Sequence, residues 1–488
     1  MPPHGWPALW LGVGALAVLV AELALPARRQ TVLPVCAGLA AVVLAGSLWL
    51  AGQAPVDGFT RLVFGLVALA AAAALVLAWP QLDPGEPAAF VALVLLAACG
   101  MGVLASSTSW PALFVGLELL SLSLYVLVAY RREDRAAQEG AFKYFVLGSA
   151  ASGLLLLGIA LVYGSTGTLA FPREPVPASG PGGSLAAAGF ALVVVGLAFK
   201  LALVPFHFWA PDAYQAGTLG VTAFMAVATK AAAFAALARV VRVAPGAVLP
   251  ALWGLAVASM LAGSLGALRQ RDFRRLMAYS GMANAGYLLM ALVDRSPQSM
   301  TAAAVYLAAY AAMTTGLFAV AALAEAATPA GAGPLNRAGV EEVARRAAAH
   351  PAAPWLMVLF LAGLTGLPVT GGFVGKVLLL RSALQAQATG LALSLVASTA
   401  ILAYPYWKLA YRALRPGREG ALGEPGEPAA GAVGVAGQPG LPAGVAGSQG
   451  APGLSAARPA VVRAWLALGW ACALVTVALG VMPPWLMR

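Results

Sequence analysis

Apolar residues run through this chain in blocks of about twenty, separated by short polar or Gly/Pro-containing stretches. The blocks lie near 6–26, 31–52, 58–79, 87–106, 109–130, 140–164, 184–207, 217–242, 247–268, 274–293, 299–326, 351–383, 389–414 and 460–482. Each is long enough to cross the roughly 30 Å hydrocarbon core of a bilayer as a helix. Strand-like alternation is absent, which argues against a membrane barrel. The pattern predicts an all-α polytopic membrane protein with about 14 transmembrane helices, here called spans 1 to 14.

Two spans are interrupted. Span 7 meets Pro205, and span 12 contains the run GLTGLPVTGGFVG from Gly363 to Gly375. A lysine stands beside each interruption, Lys200 and Lys376, and each is followed by another about 30 residues later, Lys230 and Lys408. Broken helices at matching places in two halves point to inverted repeats with a polar path at mid-membrane. The division predicted is spans 1–3 in residues 1–86, a first five-helix repeat in 87–245, a second, inverted five-helix repeat in 246–414, a Gly/Pro/Ala-rich loop in 415–459, and span 14 in 460–488. The loop has too few apolar residues to order itself and reads as flexible.

Composition agrees: 61% of the residues are hydrophobic and 10% charged, against about a quarter charged in soluble domains. The formal charge of +11 is spread over short loops rather than gathered in one patch, which fits topological anchoring and argues against nucleic acid. With the N-terminus outside, 17 of the 24 arginines fall on the cytoplasmic side, placing both termini on the other side, although Arg239 and Arg242 run against the rule. The start, MPPHGWPALW, lacks a basic n-region and reads as the beginning of span 1. Cys36, Cys99 and Cys472 stand singly, and the only histidines are His4, His207 and His350. No metal, haem, iron–sulfur or nucleotide motif is present, so any redox chemistry is expected in other chains.

All five lysines (143, 200, 230, 376 and 408) lie inside apolar segments, while the loops use arginine almost exclusively. Arginine stays protonated at any reachable pH, whereas a desolvated lysine gains and loses its proton readily. Snorkelling toward the interface accounts for Lys143 and Lys408 but poorly for the three deeper lysines. Glu118 falls near the middle of span 5, where a lone carboxylate costs roughly 2.5–3.5 kcal/mol, so it calls for a partner. Lys200 is the natural candidate; a static salt bridge is the alternative to a switching pair. Lys230 has no carboxylate on its own span and is a candidate intermediate proton station, and Lys376 suits the exit. His207 is either a proton relay or a polar cap satisfied by Asp212. Tyr279, Ser280 and Asn284 either hold waters or pack. Glu22, Glu325 and Asp83 read as interfacial.

Six stretches together resemble a known family: LFVGLELLSLSLYVLVAY (113–130), KYFVLGSAASGLLLLGIALVYGSTGT (143–168), KLALVPFHFWAPDAYQ (200–215), TAFMAVATKAAAF (222–234), RRLMAYSGMANAGYLL (274–289) and LAGLTGLPVTGGFVGK (361–376). They are similar to the antiporter-like subunits of bacterial proton-translocating NADH:quinone oxidoreductase, respiratory complex I, and most of all to its subunit N family; the likeness runs from about 90 to 412. A lysine at 376 argues against subunit M, and the modest length argues against subunit L. The resemblance implies a proton channel in the bacterial inner membrane, with Glu118, Lys200, Lys230 and Lys376 as the proton-carrying groups. It also implies no cofactor in this chain, with NADH, FMN, iron–sulfur clusters and quinone handled by partner subunits, and contacts with neighbouring antiporter-like subunits of the membrane arm. Two departures stand out: Asn284 replaces the family's usual histidine and cannot carry a proton, and AGTLGVTAF replaces GAPTPVTAF before span 8. The 415–459 insert is also unusual for the family.

Three other readings compete. A subunit of a multi-subunit Na⁺/H⁺ antiporter or membrane-bound hydrogenase shares the scaffold. A structural membrane anchor predicts that the lysines affect only stability, and a stand-alone solute transporter predicts activity without partners.

Overall fold

The computed structural model describes residues 5–24, 29–79, 87–177, 180, 182–294, 296–327, 339–415 and 459–481, the side chains of 29–33 and 294 excepted. The predicted 415–459 loop and Asp83 lie outside the described residues, apart from Arg415 and Pro459 at the ends of that loop.

The helices are α1 (Trp6–Ala24), α2 (Arg29–Gln53), α3 (Gly58–Ala78), α4 (Pro87–Ala105), α5 (Trp110–Val128), α6 (Arg135–Thr166), α7 (Gly183–Lys200), α8 (Trp209–Ala216), α9 (Leu219–Phe224), α10 (Lys230–Val243), α11 (Leu249–Leu268), α12 (Phe273–Asp294), α13 (Pro297–Ala326), α14 (Val340–Ala347), α15 (Ala353–Thr365), α16 (Gly371–Gln385), α17 (Thr389–Leu414) and α18 (Pro459–Val481). With α9 and α10 taken as one continuous stretch, thirteen helices among the described residues are long and apolar enough to cross a membrane. Span 12 of the sequence prediction is the exception: it is split into the shorter α15 and α16.

Short polar side chains start many of these helices. Asp57 accepts from Thr60 N at 2.8 Å before α3, Ser109 caps α5, Asp134 caps α6, Thr218 caps α9 and Ser296 caps α13. Each satisfies a backbone N–H that a helix start leaves free, which matters most near hydrocarbon.

The packing of successive helices recurs: α4 lies along α5 and α6 along α7, and farther on α11 lies along α12 and α13 along the α15–α16 pair. The α9–α10 stretch, α12 and α13 are almost wholly buried, whereas α1, α2, α6 and α18 turn wide apolar faces outward, as lipid contact requires. Loop contacts sort the helix ends into two sides. Arg239 reaches Asp57 at 2.8 Å and the Ala105 carbonyl at 2.9 Å on one side. On the other, Arg131 donates to the Ala216 carbonyl at 3.0 Å and Arg275 meets Asp212 at 2.6 Å. These pairings agree with the alternation of spans read from the sequence.

Three departures from the predicted elements matter for the site. Helix α7 ends at Lys200 itself, five residues before Pro205. The second interruption narrows to residues 366–370, between α15 and α16. A third interruption was not predicted: residues Met225–Thr229 form a π turn between α9 and α10, so Lys230 opens the helix after it.

Candidate functional site

Each interruption re-satisfies the backbone groups it frees. After α7, Ala202 takes a left-handed conformation with φ 57° and the Val204–Pro205 peptide is cis. Leu203 N donates to the Ala198 carbonyl at 2.9 Å, Val204 N to Ser259 Oγ on α11 at 3.0 Å, and the Trp209 indole to the Phe199 carbonyl at 2.8 Å. After α15, the Gly366 and Leu367 N–H groups both return to the Ala362 carbonyl at 2.9 Å, and Thr370 caps α16. Non-helical backbone at membrane depth survives only when enclosed in protein in this way.

A lysine stands at each of these places. Lys200, Lys230 and Lys376 are 2%, 2% and 6% exposed. Among the described residues no carboxylate lies within 4.0 Å of any of the three ammoniums. Lys200 donates to the Tyr144 hydroxyl on α6 at 2.9 Å and lies 5.0 Å from that ring and 5.5 Å from the ring of Tyr125. Tyr144 is held in turn by stacking on Trp209, their ring centroids 4.3 Å apart. Lys230 donates to the Tyr214 hydroxyl on α8 at 2.9 Å. Lys376 reaches back across the second break to the Leu364 and Thr365 carbonyls at 2.7 and 3.2 Å, and to Thr399 Oγ1 at 3.3 Å. It thereby occupies the carbonyl end of α15, where a helix favours a cation. Lys200 occupies the same end of α7 by its place in the chain.

Glu118 is only half-buried. Its Oε1 has no hydrogen-bond partner, and it is not in ion-pair contact with Lys200, although the two charges interact through space. The expected direct pair is therefore replaced by a phenol in contact and a carboxylate at a distance. The rings nearest the ammonium are instead those of Tyr125 on α5 and Tyr144 on α6, which meet edge-on with centroids 4.6 Å apart.

The remaining sequence candidates separate. Asp212 does not cap His207; it bonds to Arg275 at 2.6 Å and Lys143 at 3.4 Å, while His207 Nδ1 is buried without a partner. Because α7 stops at Lys200, His207 is not on a continuous helical face with it. Lys143 is about half exposed and also pairs with Glu139 at 2.7 Å, as an interfacial lysine would. Lys408 is partly exposed on α17. Glu325, expected at the interface, is buried at 7% exposure and interacts with the buried Arg274. The Tyr279 ring packs against Gly266, whereas Ser280 and Asn284 face inward and are fully buried.

Asn284 is enclosed by hydroxyls. Its Nδ2 donates to the Ser280 carbonyl at 2.7 Å and its Oδ1 accepts from Tyr306, while Ser280 Oγ bonds Tyr406 Oη at 2.5 Å. Farther along, Tyr287 Oη pairs with Ser398 Oγ at 2.9 Å and accepts from Thr399 at 3.4 Å. None of Tyr144, Tyr214, Tyr287, Tyr306 or Tyr406 is distinguishable in the sequence from a packing aromatic; only their fully buried hydroxyls, converging from five helices, set them apart.

Comparison with known proteins gives this constellation a context. Residues 107–402 match the family described as NADH:quinone oxidoreductase/Mrp antiporter, TM. NADH-quinone oxidoreductase subunit N 1 of Symbiobacterium thermophilum is 42% identical over 435 residues, 83% of this chain and 86% of that one. The chain belongs to the subunit N family of NADH-quinone oxidoreductase. The subunit N of Mycobacterium tuberculosis H37Rv is 39% identical over 321 residues, 64% of this chain and 60% of its own length. Among solved structures, a chain of respiratory complex I from Thermus thermophilus superposes with a TM-score of 0.77 at 32% identity, covering 99% of this chain and 98% of that one. A chain of the Mrp complex from Dietzia sp. reaches 0.76 at 22% identity, covering 100% and 96%, a likeness of fold alone. As a subunit N family member, the protein is an antiporter-like, multi-pass membrane subunit of complex I.

Proposed function

We propose that this subunit carries protons across a bacterial inner membrane through Glu118, Lys200, Lys230 and Lys376, coupled to quinone reduction in partner subunits. NADH oxidation, FMN, the iron–sulfur clusters and quinone belong to those partners, neighbouring antiporter-like subunits flank the chain, and both termini lie on the periplasmic side. Residues 87–245 and 246–414 are its two functional repeats.

One observation carries this reading: three ammoniums are buried against neutral oxygens instead of carboxylates. A purely structural buried charge needs an opposite charge, because its desolvation costs several kcal/mol. A phenol serves both states of a titrating lysine: it accepts from the ammonium and donates to the lone pair of the neutral amine. Tyr144 and Tyr214 are placed to do so for Lys200 and Lys230. For Lys376, the amine keeps N–H donors for the α15 carbonyls while its lone pair accepts from Thr399. In this mechanism a signal from a neighbouring subunit moves Glu118 relative to Lys200, loosens its hold on the proton, and sends that proton toward Lys230 and Lys376.

The test is NADH-driven proton uptake by the purified complex in liposomes. Lys200→Met abolishes the contribution of this subunit, and Lys200→Arg does nearly the same although it keeps the charge. Full pumping by the arginine variant overturns the reading.

A further inference from the structure

The link between Lys230 and Lys376 has to pass Asn284, whose amide carries no exchangeable charge at accessible pH. The surroundings offer another route. Tyr310 and Lys230 face each other over Gly281: a Cβ built there would lie 3.1 Å from Tyr310 Oη and 2.7 Å from Lys230 Nζ. The Tyr310 hydroxyl is buried and has no hydrogen-bond partner. On the far side, Lys376 reaches Thr399, and Thr399 reaches the Tyr287 hydroxyl. Between these ends stands Tyr406 of α17, fully buried, bonded to Ser280 at 2.5 Å, and close enough to both Tyr310 and Tyr287 for electrostatic interaction. Asn284 is locked beside it, its carbonyl oxygen taken by Tyr306 and its amino group by the Ser280 backbone.

We infer that the Tyr406 hydroxyl, with Ser280, is the proton-carrying link between Lys230 and Lys376, and that Asn284 only orients it. The inference rests on the proton path proposed above. In each passage a hydroxyl accepts a proton on a lone pair as it releases its own to the next oxygen, with water completing the longer steps. One proton leaves Lys230 and one arrives at Lys376; no phenol is left ionised, and the hydroxyls then rotate back. A hydroxyl chain suits this position because each member is both donor and acceptor, as an amide nitrogen is not.

The experiment uses the assembled complex in liposomes, measuring proton uptake against NADH oxidation, with assembly followed on native gels. Lys376→Met sets the level for loss of this path; if that variant pumps fully, the path itself fails and the relay with it. Where Lys376→Met loses pumping, Tyr406→Phe falls to the same level, and adding Asn284→His, which restores a titratable carrier, recovers it. Should the Tyr406→Phe complex not assemble, Ser280→Ala carries the same expectation. Wild-type pumping by the assembled hydroxyl-deletion variant overturns the relay while leaving the lysine path standing. So does a loss that Asn284→His does not repair, which would mark Tyr406 as packing.

Discussion

The Lys200 ammonium rests on the Tyr144 hydroxyl at 2.9 Å, with Glu118 outside contact distance. A hydrogen bond to a charged group contributes about 1.5–3 kcal/mol. Tyr144→Phe therefore disturbs Lys200 more directly than Glu118→Gln disturbs its packing. The expected outcome is an assembled complex with sharply lowered proton uptake in Tyr144→Phe, whereas Glu118→Gln lowers uptake without a measurable change in thermal stability. Equal stability and full pumping in Tyr144→Phe would refute the dual acceptor–donor role.

Gly281→Ala places a methyl group 2.7 Å from Lys230 Nζ. The clash is with the end of a flexible side chain, so the fold should survive while the ammonium is pushed from Tyr214. Native-gel assembly close to wild type with reduced pumping is expected. Adding Tyr214→Phe should cost little more, because both changes break the same contact.

Gly372→Ala is a different case. The added Cβ would lie 1.9 Å from the Gly363 carbonyl oxygen, a backbone atom on the other half of the broken span. Neither side can yield without opening the α15–α16 break, so the subunit should fail to accumulate in the membrane. Immunoblotting of membranes checks this, with Gly281→Ala as the tolerated control.

Asp212 ties α8 to α12 through Arg275 at 2.6 Å, with both side chains about 30% exposed. Partial exposure limits such a pair to about 1 kcal/mol or less. A double-mutant cycle with Asp212→Asn and Arg275→Gln, read by thermal unfolding of the complex, should show a coupling of that size at low salt that shrinks in high salt.

Much of the fold was legible because hydrocarbon imposes one rule on every span: the backbone must bond within its own segment, and twenty apolar residues suffice. The buried lysines were legible for the same reason, since each stands out against an apolar run. Their partners were not. Spans that are apolar on nearly all sides do not declare which face points inward, so nothing local to Lys200 designates Tyr144, which lies 56 positions earlier and on another helix. The burial of Glu325 was hidden for the same reason. Its position near the end of α13 suggested an interface, and only the packing shows that its side chain is buried at 7% exposure near Arg274, whereas Pro297 and Gln298 at the other end of the helix are exposed. The split of span 12 was signalled by its glycines, whereas the π turn at Met225–Thr229 left no mark in MAVAT.

That π turn acts as a setting of angular phase. An α-helix advances about 100° per residue, and the turn holds one residue more than the α register would. Upstream, Thr222 is fixed by its bond to the Tyr214 carbonyl; downstream, Arg239 is fixed at Asp57. With the upstream end held, a chain one residue shorter in this stretch would turn Lys230 by roughly a quarter of a circle, away from Tyr214 and Gly281, and carry Arg239 off Asp57 with it. The direction in which this lysine points is therefore set by a single turn of four apolar residues and a threonine.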